Sequence, residues 1–171
     1  LGCAESGIRD RNSAQAFRLA RDKGQSLQLL AAYGLPIPST SYIGELVESS
    51  SQLALHFPAI VLKILVGMQG TGVELYEKKS TALNKLKMLK QVGEKALVQD
   101  FIAETRGQDI RAFVIGDQVV ASMQRTAGNG DFRANLHQGG KAESIELTEE
   151  EKQIAIQATK AIRLDVAGVD L

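Results

Sequence analysis

Three stretches of this sequence predict an α+β protein built of two lobes. The run at 59–66 (AIVLKILV) is apolar but for Lys63, the pattern of a buried strand, and a glycine-rich turn leads from it into an alternating strand at 73–78. Residues 109–115 and 119–123 flank Gly116-Asp117, a strong hairpin signal. Helical periodicity appears before, between and after these strands.

In chain order, residues 12–21 read as a helix, with Ala16, Phe17, Leu19 and Ala20 supplying its apolar positions. A second helix follows Asp22, with a stripe of Leu27, Leu30 and Ala31, and Gly34 and Pro36 stop it. Tyr42-Ile43 is a short strand, and 49–57 is a short helix closed by Pro58. Past the glycine turn, Ser80 is placed to cap a helix to Gln91 whose apolar side is Leu83, Leu86, Met88 and Leu89. A strand at 96–102 (ALVQDFI) precedes the hairpin. The polar, glycine-bearing stretch 126–140 is long for a connection in a compact domain, which marks it as a candidate for function. Residues 144–147 form a short strand. Thr148 and Glu151 match a capping box that opens a helix to about Arg163, and 166–170 (VAGVD) is a last strand. The expected organisation is a helical lead-in over 1–20, a first lobe over 21–96 and a second over 97–171, the lobes meeting near residues 99–104.

The 171 residues suffice to bury a substantial core. With 44% hydrophobic and 23% charged residues, the balance is that of an ordinary soluble globular chain. A net charge of zero gives no sign of DNA or an anionic membrane as partner. Cys3 is the only cysteine, so no internal disulfide forms, and a reducing, cytoplasmic setting is expected. One cysteine with His56 and His137 far apart argues against zinc. No apolar run approaches the roughly 20 residues of a membrane helix. The chain opens without Met and stops just inside an apolar segment, and both ends read as cuts.

Several residues stand out chemically. In GMQGTG, Gly67, Gly70 and Gly72 lie between two strands, where backbone N–H groups can approach a phosphate closely. No Gly-Lys-Ser/Thr follows, and the next segment is a strand, so neither a Walker loop nor a Rossmann turn is present. A strand–glycine–strand flap lies over phosphates in kinases; a hairpin without ligand fits the turn equally well. Lys63, inside the apolar run, must snorkel, pair with a carboxylate or meet an anion such as a phosphate. On the hairpin strand, the period of two puts Asp109, Arg111 and Phe113 on one face. From spacing alone, a plain Asp–Arg ion pair across that face is the simpler account. Arg125, on the returning strand, is expected near the same place. In GNGDFRANLHQGG, Arg133 and Asn135 suit phosphate and acyl-phosphate oxygens, with Asp131 and His137 beside them, His137 read as structural. Asp170 closes a strand of small residues, a position suited to a Mg²⁺ ligand, although one carboxylate holds Mg²⁺ poorly without help.

Taken together, Arg21-Asp22-Lys23, Lys63 with GMQGTGV, LVQDFI, Gly107-Gln108-Asp109-Ile110-Arg111, GDFRANLHQGG and DVAGVDL resemble the RimK-type ATP-grasp ligases from about residue 12 to the end. The resemblance implies an ATP-grasp fold, with ATP between two α+β lobes. It implies a carboxylate–amine ligase: ATP phosphorylates a carboxylate, and an amine displaces phosphate to make an amide. RimK proteins add glutamate to the C-terminus of a small-subunit ribosomal protein, and relatives use carrier proteins or small cofactors as acceptors. The implied partners are therefore ATP, Mg²⁺ (or Mn²⁺), glutamate or another amino acid, and an acceptor carboxylate. By position, Lys23 and Lys63 would contact the nucleotide, Asp100 and Phe101 would border adenine, and Asp109 would meet the ribose. Arg133 and Asn135 would lie at the phosphates and Asp170 at the metal, with Arg111 and Arg125 at the acyl phosphate or the substrate carboxylate. Asp100-Phe101 replaces the Glu-Tyr or similar pair usual in the family. The Glu-x-Asn metal motif that follows in family members, and the domain that precedes the lobes, are not in this sequence. The expectation is an enzyme whose isolated fragment is nearly inactive. A non-catalytic nucleotide-binding module is the alternative from another class, and association through the open last strand is left open.

Overall fold

The structure, a computed structural model, describes residues 11–43, 59–65, 72–105, 107–128 and 139–171. They fall into two compact units, one spanning Ile37–Glu104 and the other joining the residues up to Pro36 to Thr105–Leu171.

In the unit 37–104, strands β1 (Thr40–Ile43), β2 (Ile60–Ile64), β3 (Val73–Tyr76) and β4 (Ala96–Asp100) form an antiparallel sheet in the order β1-β4-β2-β3. Alternation along β2 and β4 sends Ile60, Leu62, Ala96 and Val98 to one face, with Ile43 of β1 beside them. There they pack on Ala82, Leu86 and Leu89 of helix α3 (Lys79–Gln91). Two expectations for this helix are corrected. Ser80 does not cap it: the N-cap is Lys78, with no side-chain cap bond. Met88 is 63% exposed, because the stripe that meets the sheet runs through 82, 86 and 89 at helical spacing. Gly93 ends the helix with φ +73°.

In the other unit, helices α1 (Ala14–Arg21) and α2 (Lys23–Ala32) accompany strands β5 (Gln108–Ile115), β6 (Gln118–Thr126), β7 (Lys141–Ser144) and β8 (Val166–Asp170) and helix α4 (Glu149–Ile162). The sheet is antiparallel in the order β7-β6-β5-β8. Its core face presents Ala112 and Val114 to Leu147 and Ala155. Ser13 caps α1 by accepting from Ala16 N at 3.1 Å, and Asp22 caps α2 by accepting from Gln25 N at 2.9 Å. The stripe expected on α2 is shallow: Leu27 and Leu30 are half-buried, and Ala31 is exposed. At α4 the capping box forms in both directions, Glu151 N donating to Thr148 Oγ1 at 3.2 Å and Thr148 N to Glu151 Oε2 at 2.7 Å. The strand expected at 144–147 instead ends at Ser144, where β7 pairs with Met123 of β6.

The division differs from the expected boundaries at 20/21 and 96/97. Helices α1 and α2 pack with α4 in the second unit. Asn12 supplies a further link: its Oδ1 accepts from Asp165 N at 2.8 Å and Val166 N at 3.0 Å, and its Nδ2 donates to Val166 O at 2.9 Å. One amide side chain thus does for the start of β8 what a neighbouring strand would do. No helix among the described residues is long and apolar enough to cross a membrane.

Candidate functional site

In the unit 37–104, antiparallel register sets Lys63 opposite Val73 on one side and Leu97 on the other, on the sheet face turned away from α3. Gln99, only 3% exposed, belongs to the same face and donates from Nε2 to Thr40 Oγ1 at 2.8 Å. Sequence reading passed over Gln99, although a single amide within ALVQD was the available signal. Gly72 has φ +81° and its carbonyl accepts from Ile64 N at 2.8 Å, so it fastens the base of the β2–β3 connection. A Cβ at Gly72 would lie 3.1 Å from Ile64 Cβ, so the torsion favours glycine and a side chain would also press on Ile64. Gly67 and Gly70 lie outside the described residues, as does the helix expected at 49–57. Asp100 ends β4, and its N–H donates to Ser39 O at 3.1 Å; the Phe101 N–H donates to Ala59 O at 3.1 Å.

In the other unit, Asp109, Arg111, Arg125 and Asp170 share the sheet face opposite the core. Register explains why: Asp109 pairs with Arg125 across β5–β6, and Arg111 pairs with Asp170 across β5–β8. Paired residues point the same way, and 109 and 111 are two apart on one strand. The ion pairing differs from the Asp109–Arg111 pair that spacing suggested. Arg125 grips Asp109 through Nε at 2.6 Å and Nη2 at 2.5 Å, while its Nη2 also lies 3.0 Å from Asp170 Oδ1. Arg111 grips Asp170 through Nε to Oδ1 at 2.7 Å and Nη2 to Oδ2 at 2.8 Å. Cross-strand neighbours, not same-strand ones, bring the forks face to face with the carboxylates. The Asp109 hydrogen bond raises the Arg125 pKa; burial opposes this and the Asp170 charge adds to it. Arg125 is therefore a fixed cation across the working pH range.

Asp170 was expected to be a metal ligand. Its Oδ1 accepts from both arginines and its Oδ2 from Arg111, so three of about four lone-pair sites are taken. No group of three or more His, Cys, Asp or Glu stands together among the described residues. As arranged here, these residues do not fit a metal ion, and no chemical step is routed through one. Lys23 opens α2. Arg133 and Asn135, with Asp131 and His137, lie outside the described residues.

A profile of the RimK-like ATP-grasp domain matches residues 20–171. The chain belongs to the RimK-like ATP-grasp family. Within it, a protein of Haemophilus influenzae Rd named "Probable alpha-L-glutamate ligase" is 55% identical over 160 residues, which cover 94% of this chain and 53% of that protein. A protein of the same name from Legionella pneumophila strain Corby is 44% identical over 166 residues, covering 96% and 55%. The chain spans about half the length of these curated relatives. Among solved structures, the ATP-grasp ligase PsnB, complexed with a phosphomimetic variant of its minimal precursor, Mg and ADP, aligns with TM-score 0.75 at 25% identity over 98% of this chain and 50% of PsnB. The D-alanine–D-alanine ligase of Bacillus anthracis complexed with ATP aligns with TM-score 0.78 at 17% identity, over 98% of this chain and 56% of that one, a likeness of fold. This RimK-like chain has the α+β ATP-grasp fold, as its sequence motifs implied.

Proposed function

We propose that the protein carrying this chain is an ATP-dependent carboxylate–amine ligase that adds glutamate to an acceptor carboxylate. The reading is supported above all by one observation: relatives 44% to 55% identical along almost the whole chain are named glutamate ligases. ATP would transfer its γ-phosphoryl group to the acceptor carboxylate, giving an acyl phosphate and ADP. The amine of glutamate would then attack the acyl carbon, with the C–O bond to phosphate breaking and the amine proton leaving, to give amide and inorganic phosphate. A ribosomal protein C-terminus is the acceptor implied by the sequence resemblance.

In this reading Lys63 meets the nucleotide phosphates from its sheet face, and Lys23 at the start of α2 adds a second cation. Gly67, Gly70 and Gly72 are assigned to the phosphates, and Gly72 fastens the base of the β2–β3 connection. Asp100 and Phe101 border adenine. Asp109 keeps a lone pair on each oxygen beyond the two bonds from Arg125, enough to accept from ribose hydroxyls. Arg133 and Asn135 serve the phosphates. Arg111 and Arg125 are assigned to the carboxylate or acyl-phosphate oxygens, which they would meet with the N–H groups left over from Asp109 and Asp170. The resemblance assigns Asp170 to Mg²⁺, but as arranged here Arg111 and Arg125 hold that carboxylate, so the metal is given no step.

Incubating the full-length protein with ATP, glutamate and candidate acceptor peptides tests this. Release of ADP together with a mass gain of one glutamyl residue on the acceptor is the expected result. Tight ATP binding with no ADP released under any acceptor would refute ligation and leave a nucleotide-binding module.

A further inference from the structure

We infer that the outer edge of β7 is an interface with a second copy of this chain. The two strands join antiparallel about Ala142, so that Lys141 of each copy meets Glu143 of the other.

Strand β7 closes one side of its sheet, beside β6, and Lys141, Ala142, Glu143 and Ser144 are all exposed. Its inner bonds show which backbone groups are left over. Ile145 N donates to Ser122 O at 3.3 Å, so alternation turns the N–H and C=O of Lys141 and Glu143 toward β6 and those of Ala142 and Ser144 outward. The charges are left over as well. Lys141 stands opposite Thr126 and Glu143 opposite Gln124, and neither forms an ion pair among the described residues.

An open edge can template another strand, and a lysine on it normally keeps foreign strands away. A glutamate two residues along makes an exception for one partner, because the spacing is self-complementary. With Ala142 opposite Ala142 of the second copy, their outward backbone groups bond each other. Lys141 and Glu143 then fall directly opposite Glu143 and Lys141 across the seam, on one face of the sheet. Centring the pairing on 141 or 143 would set lysine against lysine or glutamate against glutamate, which fixes the register. No proline interrupts the run from Gly140 to Ser144, so every outward N–H can donate. The opposite edge of this sheet is less open at its start, where Asn12 takes the backbone groups of Asp165 and Val166. The pairing also bears on the ionic face. Ala142 stands opposite Arg125, and the two-fold axis runs perpendicular to the sheet, so both ionic faces lie on one side of a continuous sheet. The Arg125 backbones of the two copies are then three strand spacings, about 14 Å, apart.

Sedimentation velocity of the full-length protein tests the pairing, with Glu143→Lys, Lys141→Glu and the double exchange of the two charges as variants. All of them change only exposed side chains. The unmodified protein should associate, and each single variant should weaken association by about tenfold or more, because like charges then face each other at both ends of the seam. The double exchange should restore association to within about threefold, since it returns opposite charges to each row. Single variants that associate as the unmodified protein does, or a double variant as weak as the singles, overturn the interface. An unmodified protein that stays monomeric at the highest concentration reached overturns it too. Ala142→Cys reads the seam itself, combined with Cys3→Ser to remove the other thiol of this sequence. In this register the paired α-carbons are about 5.5 Å apart, within disulfide reach, so mild oxidation should link two copies through residue 142, as mapped by mass spectrometry. No link at 142, or an equal yield of it once Glu143→Lys is added, refutes the pairing.

Discussion

Arg125 and Asp109 face each other across β5 and β6 and join through two hydrogen bonds of 2.6 and 2.5 Å, with the guanidinium buried and the carboxylate partly open. This pair is the fixed point of the ionic face: it fills one side of each Asp109 oxygen, and the same Nη2 also reaches Asp170. Asp109→Asn should therefore cost about 1–3 kcal/mol of stability, since a buried cation loses half its partner. Urea unfolding checks the stability loss, and calorimetry should show weaker nucleotide binding in the same variant while it remains folded.

Asn12 acts at a distance of more than 150 residues, closing the outer edge of β8 with three hydrogen bonds. Asn12→Ala should lower stability by about 1–2 kcal/mol and speed hydrogen exchange at the Asp165 and Val166 amides. Exchange at those two amides equal to that of the unmodified protein would remove Asn12 from this role.

Gly72 combines positive φ with a close approach to Ile64. Gly72→Ala should cost about 1–2 kcal/mol from the left-handed torsion alone, with the Ile64 contact adding to it. A thermal melt that does not move would mean that the β2–β3 base tolerates a side chain.

Acid sensitivity should have a local source at Glu74. Burial pushes its carboxyl up, but hydrogen bonds from Lys85 and Tyr76 outweigh burial and hold its pKa below the ordinary value. A carboxyl held low contributes stability that is present above the unfolded pKa and lost as pH falls through the folded one. Tyr76 shifts the other way, raised by burial and by the Glu74 partner, so its contribution is full below its ordinary pKa and fades only under strong alkali. Glu74→Gln should be less stable than the unmodified protein at neutral pH, with the gap narrowing as pH falls below about 4. Parallel denaturation curves from pH 7 to pH 3, with a constant gap, would contradict this.

What the sequence disclosed follows the range of the forces involved. Thr148 with Glu151, Gly34 after α2 and Gly116-Asp117 in the hairpin are local signals, and each marks the element it belongs to. The alternation of β5 correctly put Asp109 and Arg111 on one face. It could not reveal their partners, because Arg125 and Asp170 reach them through strand register, which is a tertiary property. The same limit hid the grouping of α1 and α2 with α4, and the role of Asn12 at β8. Met88 was misplaced by its type: a large apolar residue one step off the stripe stays in solvent when α3 meets the sheet through 82, 86 and 89. Lys63 was legible because a charge within an apolar strand is rare enough to stand out, and register puts it on the sheet face away from α3.

Calorimetric titration of the full-length protein with a non-hydrolysable ATP analogue tests the proposed contact between Lys63 and the ATP phosphates. Saturable binding is expected, weakened by about tenfold or more in Lys63→Ala, since a charge-assisted phosphate contact is lost. No binding to the folded protein, or equal affinity in Lys63→Ala, would contradict it.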